Sequence, residues 1–259
     1  MEKTVCTVLL LSNVLEALLE TGYGWNQPYI SVSGKHVYVR DQKTWLEAQE
    51  FCKKYYTDLS SISSVWEQQQ LQRRGDGWIN YSSWIGLYRE PNNLTGWRWS
   101  GGGYATYLGT WDKDQPNNNR GKDYGMIKGN TWHNELEDLL IPFFCLKLIV
   151  VRESKTWEEA LEYCREQHTD LTSLVSETEL LLAQRESREA QTTTTHLWTG
   201  LRYLANRWLW VNGDPLEYEA WPQGGLHQCP AWNLRCGAMA TEGAWEARDC
   251  QESLNFICY

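Results

Sequence analysis

The chain has 259 residues, of which 42% are apolar and 22% charged, and its net charge is -9. This length corresponds to one large domain or two ordinary ones, and the composition excludes a disordered chain. The acidic balance argues against a nucleic-acid partner, which needs a basic surface. The chain has 16 Trp and 14 Tyr against 4 Phe, a bias that suits sugar-like ligands and polar interfaces as well as cores.

The N-terminal segment has the features of a secretory signal. A short charged start precedes an apolar run, Val5 to Leu11, and small residues follow up to Gly24. This pattern predicts a signal peptide over residues 1–24 and a secreted, extracellular chain. Glu16 and Glu20 leave an ordinary amphipathic helix as the alternative. No apolar run reaches the ~20 residues that cross a bilayer, so no membrane span is expected beyond the signal segment.

Glycosylation acceptors and cysteines support the secreted interpretation. Asn80 and Asn93 each stand two residues before a serine or threonine, which predicts a glycoprotein. The 8 cysteines contain no Cys-x-x-Cys spacing, so zinc-ribbon and thioredoxin motifs have no support. Cys6 lies in the predicted signal peptide and would be removed with it.

The remaining sequence is a tandem repeat, in which Trp157 follows Trp45 by 112 residues. Two copies of this size indicate two domains and not a solenoid, whose repeats are shorter and more numerous. The matched segments include Val37-Tyr38-Val39-Arg40 with Ile149-Val150-Val151-Arg152, Thr57-Asp58-Leu59 with Thr169-Asp170-Leu171, Trp84-Ile85-Gly86-Leu87 with Trp198-Thr199-Gly200-Leu201, and Trp97-Arg98-Trp99 with Trp208-Leu209-Trp210.

Each copy predicts the same elements in the same order. A β-branched strand, Val37 to Val39 or Ile149 to Val151, precedes an amphipathic helix that begins near Trp45 or Trp157. A second helix is predicted over 67–73 and 177–185. Short strands rich in Trp and Gly follow, separated by long polar loops. Helices and strands are segregated and do not alternate, so the predicted fold class is α+β.

The ordered motifs Trp-x-x-Ala-x-x-x-Cys, Asp-Leu-x-Ser, Trp-x-Gly-Leu, Trp-x-Trp and a final Phe-x-Cys occur in both copies. In this order they resemble the C-type lectin-like domain, in a mannose-receptor-like or fish-type tandem arrangement. The resemblance implies domains over 37–145 and 149–259, each with two helices, small antiparallel sheets and a long loop that carries the ligand site.

The resemblance also implies a disulfide pattern. Outer disulfides would join Cys52 to Cys145 and Cys164 to Cys258, and an inner disulfide would join Cys236 to Cys250. In the first copy Tyr124 and Glu137 stand at the two inner cysteine positions. Cys229 is left without an assigned partner.

Sugar-binding members of this family place Glu-Pro-Asn or Gln-Pro-Asp in the long loop, followed by a further carboxylate and by Trp-Asn-Asp, and these residues hold calcium. The first copy has Gln115-Pro116-Asn117 and Trp132-His133-Asn134 at these places, and Lys122 where the carboxylate usually stands. The calcium ligands carried over are Gln115, Asn117, Asp123 and Asn134, with Glu135 added if the match slips by one residue. The first four are also the candidate carbohydrate-binding residues.

So few carboxylates predict a weak or degenerate calcium site in the first domain, because the charge of the ligands sets calcium affinity. Glu90-Pro91-Asn92 fits the tripeptide better, but it comes before Trp97-Arg98-Trp99 and is assigned to an earlier turn. The second copy has no such tripeptide, and Trp245-Glu246-Ala247 replaces Trp-Asn-Asp. No calcium is expected there.

No enzyme motif is present: the sequence lacks Gly-x-Ser-x-Gly, His-Glu-x-x-His and Gly-x-x-x-x-Gly-Lys. A non-enzymatic protein without catalytic residues is therefore expected. Two binding functions remain open. One is calcium-assisted carbohydrate binding by the first domain, with glycans or glycoproteins as partners, and the other is calcium-independent recognition of a protein ligand.

Overall fold

The computed structural model describes residues 31–74, 82–91, 93–117, 119, 121–222, 230–231 and 233–259. The predicted signal peptide, Asn80 and Cys229 lie outside these residues. Each copy of the repeat folds as helices packed on its own β-sheet, which confirms the α+β class and the tandem arrangement.

The elements of the first domain lie between residues 31 and 146. They are β1 (Ser31–Ser33), β2 (His36–Lys43), α1 (Trp45–Tyr55), β3 (Asp58–Leu59), α2 (Val65–Arg74), β4 (Ser83–Arg89), β5 (Trp97–Trp99), β6 (Tyr124–Lys128), β7 (Thr131–Glu135) and β8 (Ile141–Leu146). The sheet has the order β1-β2-β8-β4-β6-β7, with β3 paired to β8 and β5 to β4.

The second domain repeats this plan. Its elements are β9 (Ile149–Lys155), α3 (Trp157–Gln167), α4 (Glu177–Glu189), β10 (His196–Leu204), β11 (Arg207–Trp210), β12 (Cys236–Ala240), β13 (Trp245–Arg248) and β14 (Leu254–Cys258). The sheet order is β13-β12-β10-β14-β9, with β11 paired to β10. The central strands are β4 in the first domain and β10 in the second. Each has an antiparallel neighbour on one side, β6 or β12, and a parallel neighbour on the other, β8 or β14. The strands of each domain therefore join into one mixed sheet, where separate antiparallel sheets were expected.

The start of the first helix in each domain is set by a capping sequence. Thr44 and Thr156 are N-caps, and each forms a capping box with the glutamate three residues later, Glu47 or Glu159. Such boxes satisfy amide groups that the first turn leaves without partners. The buried face of each helix carries a tryptophan, an alanine and a cysteine. The helices are tied to the last strands by the disulfides Cys52–Cys145 and Cys164–Cys258, the pairs that the resemblance implies.

The repeated tryptophans form the cores. Trp84, Trp132, Trp198, Trp210 and Trp245 are less than 2% exposed. The indole N–H of Trp45 donates to the carbonyl of Ile85 (2.9 Å), and that of Trp157 donates to Thr199 in the same way (2.9 Å). Burial of large rings with a satisfied N–H contributes much of the stability of such small domains.

The two domains meet through a short, buried junction. Leu146, the last residue of β8, and Leu148 pack with Leu174 and Leu180 in the core of the second domain. Thr57 of the first domain donates through its backbone N–H to the carbonyl of Leu146 (2.9 Å). Arg185 on α4 lies 3.2 Å from the fully buried carboxylate of Asp58. Within the described part of the chain, no helix is both long and apolar enough to cross a membrane.

Candidate functional site

The candidate site lies in the long loop of the first domain, between β5 and β6. The loop follows the sheet edge, where Trp111 bridges to Trp132 on β7. The rings of Trp97 and Trp111 lie 5.2 Å apart. The Gln115–Pro116 peptide bond is cis. This packing places Gln115 and Asn117 against β7, where Asn134 lies.

Three of the predicted residues come together through their amides. Gln115 Oε1 accepts from Asn117 Nδ2 (3.2 Å) and, more weakly, from the backbone N–H of Asn134 (3.4 Å). Asn134 Oδ1 accepts from the backbone N–H of Asn117 (2.8 Å), and Asn134 Nδ2 donates to the carbonyl of Asn117 (2.7 Å). Asn134 is only 1% exposed. The amide oxygens are therefore engaged with N–H groups of the loop itself.

The two carboxylates of the predicted set face cations of the same chain. Asp123 Oδ1 accepts from Arg89 Nε (2.7 Å) and lies 2.6 Å from Arg89 Nη2. Glu135 lies on β7 next to Asn134, and its two oxygens lie 2.7 and 3.0 Å from Lys122 Nζ. The charges within each of these two pairs cancel, so neither carboxylate is free.

Calcium needs about 6–8 oxygen ligands, several of them charged. Here both carboxylates are paired with Arg89 or Lys122, and the oxygens of Gln115 and Asn134 accept hydrogen bonds from the loop. As they are arranged, these residues do not fit a calcium ion.

Arg89 and Lys122 are the residues that sequence reasoning missed as part of this site. Lys122 was visible as a cation at a carboxylate position, but nothing in the sequence joined it to Glu135. Arg89 ends β4, directly before Glu90, and its guanidinium is 3% exposed. Glu90 itself lies in the turn between β4 and β5 and pairs with Arg98. Asn92 of that tripeptide lies outside the described residues.

In the first domain Tyr124 and Glu137 occupy the two positions of the inner disulfide. The backbone N–H of Trp45 donates to the carbonyl of Glu137 (2.9 Å), as that of Trp157 donates to Cys250 (3.0 Å), so Glu137 and Cys250 are equivalent. Burial, followed by a hydrogen bond with the Glu137 carboxylate, raises the pKa of Tyr124 to about 12. In the second domain Cys236 and Cys250 form the disulfide.

The equivalent region of the second domain offers different groups. Glu246, in Trp245-Glu246-Ala247, pairs with His196 (3.0 Å) and Arg248 (3.3 Å). Residues 223–229 of its loop lie outside the described part of the chain. The cluster Glu158, Cys236 and Cys250 has the spacing of a metal site, but its cysteines form the disulfide and supply no thiolate.

A second buried cluster lies between the domains, where Glu67 on α2 and Glu179 on α4 occupy equivalent positions. Lys35 Nζ lies 2.7 Å from Glu179 Oε1 and 3.4 Å from Glu67 Oε1. His36 Nε2 lies 3.4 Å from Glu67 Oε1. His36, Glu67 and Glu179 have metal-ligand spacing, but the Lys35 ammonium already provides the positive charge among them.

The charges of this cluster depend on one another. Burial alone raises the pKa of Glu67, but the charge of Lys35, the contact with His36 and the hydrogen bonds from Ser63 outweigh burial and hold that pKa below its usual range. At Glu179, burial and the charge of Glu67 raise the pKa, whereas the charge of Lys35 lowers it. Burial and Glu67 have the larger effect, and the pKa of Glu179 rises to about 8. Burial lowers the pKa of Lys35, but the three carboxylates around it, Glu179, Glu67 and Asp214, outweigh burial and raise it.

The family model of the Lectin C-type domain matches residues 41–147 and 153–259. The chain belongs to the C-type lectin domain family. Both copies of the repeat are therefore C-type lectin domains, as the motif order predicted.

Among known proteins, the chain is similar to receptors that are much longer. It is 25% identical to C-type mannose receptor 2 of Rattus norvegicus over 279 residues, covering 90% of this chain and 18% of the receptor. It is 26% identical to the secretory phospholipase A2 receptor of Bos taurus over 259 residues, covering 83% of this chain and 17% of the receptor. The carbohydrate-recognition domain of the mouse scavenger receptor C-type lectin is 25% identical, with a TM-score of 0.40, covering 48% of this chain and 98% of that domain.

Proposed function

We propose that this chain is a secreted, non-enzymatic recognition protein whose first C-type lectin domain binds a protein or glycoprotein ligand without calcium. The observation that carries the proposal is the pairing of Asp123 with Arg89 and of Glu135 with Lys122. Because Asp123 and Glu135 are neutralised by cations of the same chain, neither offers a free charge to calcium, and the polar groups of the loop are left to contact a ligand directly.

The composition of the loop supports recognition of a polar surface. Gln115 and Asn117 are half-buried, and their amide NH2 groups can donate more hydrogen bonds than the one from Asn117 Nδ2 to Gln115 Oε1. Lys122, which is half-buried, adds a cationic donor, and Asp112 is exposed at the rim. Polar groups on a loop that a rigid sheet supports are the usual basis of specific binding. Asn93, exposed in the turn after β4, is the proposed glycosylation site in the described residues.

Calcium-assisted carbohydrate binding is the second candidate. It is favoured by one observation, the convergence of Gln115, Asn117 and Asn134 through their amide groups. For this function to operate, calcium would have to displace Arg89 from Asp123 or Lys122 from Glu135.

Binding to a panel of glycans and glycoproteins, in millimolar calcium and in EDTA, separates the two functions. We expect signals that do not change with EDTA and that decrease when Asn117 is replaced by alanine. Glu50→Ala, on the exposed face of α1, is the matched control. Calorimetry should give the same melting temperature in both buffers, because a ligand stabilises a protein only when it binds the folded state. A glycan signal that disappears in EDTA, together with a calcium-dependent melting temperature, would establish the second candidate.

A further inference from the structure

A cleft separates the two domains at the N-terminal ends of α2 and α4. Its cavity has a volume of about 260 Å³ and is lined by residues of both domains. We call it the interdomain cleft and define it by Trp66 and Tyr104 of the first domain and by Glu177, Asp214, Glu217 and Tyr218 of the second. It is separate from the Gln115–Asn117 loop.

Two aromatic rings at the cleft are exposed, unlike the matched tryptophans of the cores. Trp66 is 36% exposed and Tyr104 is 57% exposed. The repeat places a threonine, Thr178, where the first domain has Trp66. The fold therefore does not require an aromatic ring at this position. The indole N–H of Trp66 donates to Asp214 Oδ1 (3.3 Å), which holds the ring across the domain boundary.

Among the described residues that line the cleft, every charged side chain is acidic. Its carboxylates are Glu67, Glu177, Asp214 and Glu217. Glu177 and Glu217 are exposed, and no cation in the described part of the chain forms an ion pair with either. Glu67 is buried, and its Oε1 accepts no hydrogen bond from the described residues. The Lys35 ammonium and the Nε2 atom of the His36 ring each lie 3.4 Å from that oxygen.

A cation in this cleft could contact carboxylates and an aromatic ring. Both kinds of contact already occur next to the cleft, with cations of the chain itself. At the inner end, the Lys35 ammonium lies among Glu67, Glu179 and Asp214. At the mouth, the guanidinium of Arg98 lies 3.9 Å from the centre of the Tyr104 ring. Carboxylates and aromatic faces are the two kinds of group that attract guanidinium and ammonium ions most strongly in proteins.

We propose that the interdomain cleft is a binding site for the guanidinium or ammonium group of a basic peptide segment. The cation would lie between the Trp66 ring and the carboxylates of Glu177 and Glu217, with Tyr104 at the mouth of the cleft. The cavity has the volume of a single long side chain and its flanking backbone, and the charge of the chain, -9, would attract a basic partner over longer distances. This site is independent of the ligand proposed for the loop.

The test is an NMR titration of the whole chain, labelled with 15N, in which the Trp66 indole signal is assigned from its loss in Trp66→Phe. The probe is N-acetyl-arginine amide, and N-acetyl-citrulline amide is its neutral counterpart. We expect the arginine probe to shift the Trp66 signal to saturation and the citrulline probe to leave it in place. Glu177→Gln combined with Glu217→Gln should weaken arginine binding about tenfold, because two exposed charge contacts are lost.

The control is Glu50→Gln combined with Glu162→Gln, which removes the same charge from equivalent exposed positions on α1 and α3. It should bind the arginine probe as the natural chain does. Equal shifts with both probes, or equal weakening in the two double variants, would overturn the proposal. Asn117→Ala should leave arginine binding unchanged, so a failure here and a failure of the loop proposal can be told apart.

Discussion

At the scale of single residues, Lys122 decides the chemistry of the first domain. Its ammonium contacts both oxygens of Glu135, at a place where the family resemblance implies a carboxylate. One residue therefore changes the local charge by two units relative to that pattern. Because calcium affinity depends on the number of charged ligands, this single position has a large influence on whether the loop binds the metal.

Replacing Lys122 by glutamate should create calcium binding. The variant removes the cation that neutralises Glu135 and adds a carboxylate beside Asp123. At calcium about tenfold above the dissociation constant, the free energy of unfolding should rise by about 1.4 kcal/mol, measured by thermal unfolding in calcium and in EDTA. Lys128→Glu, an exposed position on β6, makes the same charge change away from the loop and should show no calcium effect. No difference between these two variants would contradict this account of Lys122.

Asp123 has a structural role through Arg89. Replacing Asp123 by asparagine leaves the buried Arg89 side chain without its carboxylate. The free energy of unfolding should fall by about 1–3 kcal/mol. This loss is smaller than for a fully buried pair, because Asp123 is partly exposed. The loss should be the same in calcium and in EDTA. Glu90→Gln breaks the more exposed pair with Arg98 and should cost about 0–1 kcal/mol in denaturant unfolding. A loss for Asp123→Asn that appears only in calcium would instead identify Asp123 as a metal ligand.

At the scale of elements, the position of α2 is fixed by a glutamine. Gln68 Oε1 accepts from the indole N–H of Trp132 (3.0 Å) and from the hydroxyl of Tyr107 (3.1 Å). Gln68 Nε2 donates to the carbonyl of Asn130 (2.9 Å). These bonds connect the helix to the β6–β7 turn and to the start of the long loop. The second domain has Leu180 at this position, and there the indole N–H of Trp245 has no hydrogen-bond partner in the described residues.

Gln68→Leu should therefore destabilise the first domain. It leaves the buried N–H of Trp132 unsatisfied, which costs about 1–3 kcal/mol, measured by chemical denaturation. Gln69→Leu, at the exposed neighbouring position, should change the free energy of unfolding by less than about 0.5 kcal/mol. Equal effects of the two substitutions would show that the bonds of Gln68 contribute nothing beyond helix packing.

At the scale of the whole molecule, the junction between the domains is a buried ionic cluster. The titratable groups that face Glu179 are Lys35, His36, Glu67 and Asp214. The pKa of Glu179 is raised from its ordinary value of 4.5 to about 8, first by burial and also by Glu67. A raised carboxyl pKa means that the folded protein holds a proton that the unfolded chain releases. This stabilisation is complete below about pH 4.5 and is lost as the pH rises through about 8.

The free energy of unfolding should therefore fall between about pH 5 and 8, by up to about 1.4 kcal/mol per pH unit for one proton. Glu179→Gln, which keeps the neutral form at every pH, should remove this decline and be the more stable protein at pH ~9. Urea unfolding of both proteins across the pH range measures the difference. Glu177→Gln, exposed on the same helix, is the control. Parallel curves for the natural chain and Glu179→Gln would exclude a proton held at Glu179.

The two domains should also move as one body. Leu146 and Leu148 are buried in the core of the second domain, so the connection is a packed segment and not a free linker. We expect 15N relaxation to give one rotational correlation time for both domains. Separate correlation times for residues of α1 and α3 would contradict this.

The tandem organisation, the α+β class and the elements that carry the repeated motifs follow from the sequence alone. Local signals were sufficient there, because a capping threonine, a helical spacing of Trp, Ala and Cys and a β-branched strand act over a few residues. The family resemblance also grouped Gln115, Asn117 and Asn134, which contact one another in the fold, although 17 positions separate Asn117 from Asn134.

Which charged side chains come into contact depends on the tertiary fold. Arg89 reaches Asp123 across 34 residues, and Lys35 reaches Glu179 across 144, and neither spacing has a periodicity that a sequence could reveal. The strength of a charge contact depends on the distance between its atoms and on their burial, and both of these are properties of the folded chain. For the same reason the sequence shows only that the predicted calcium ligands include few carboxylates. The fold pairs both of these carboxylates, Asp123 and Glu135, with cations of the protein itself.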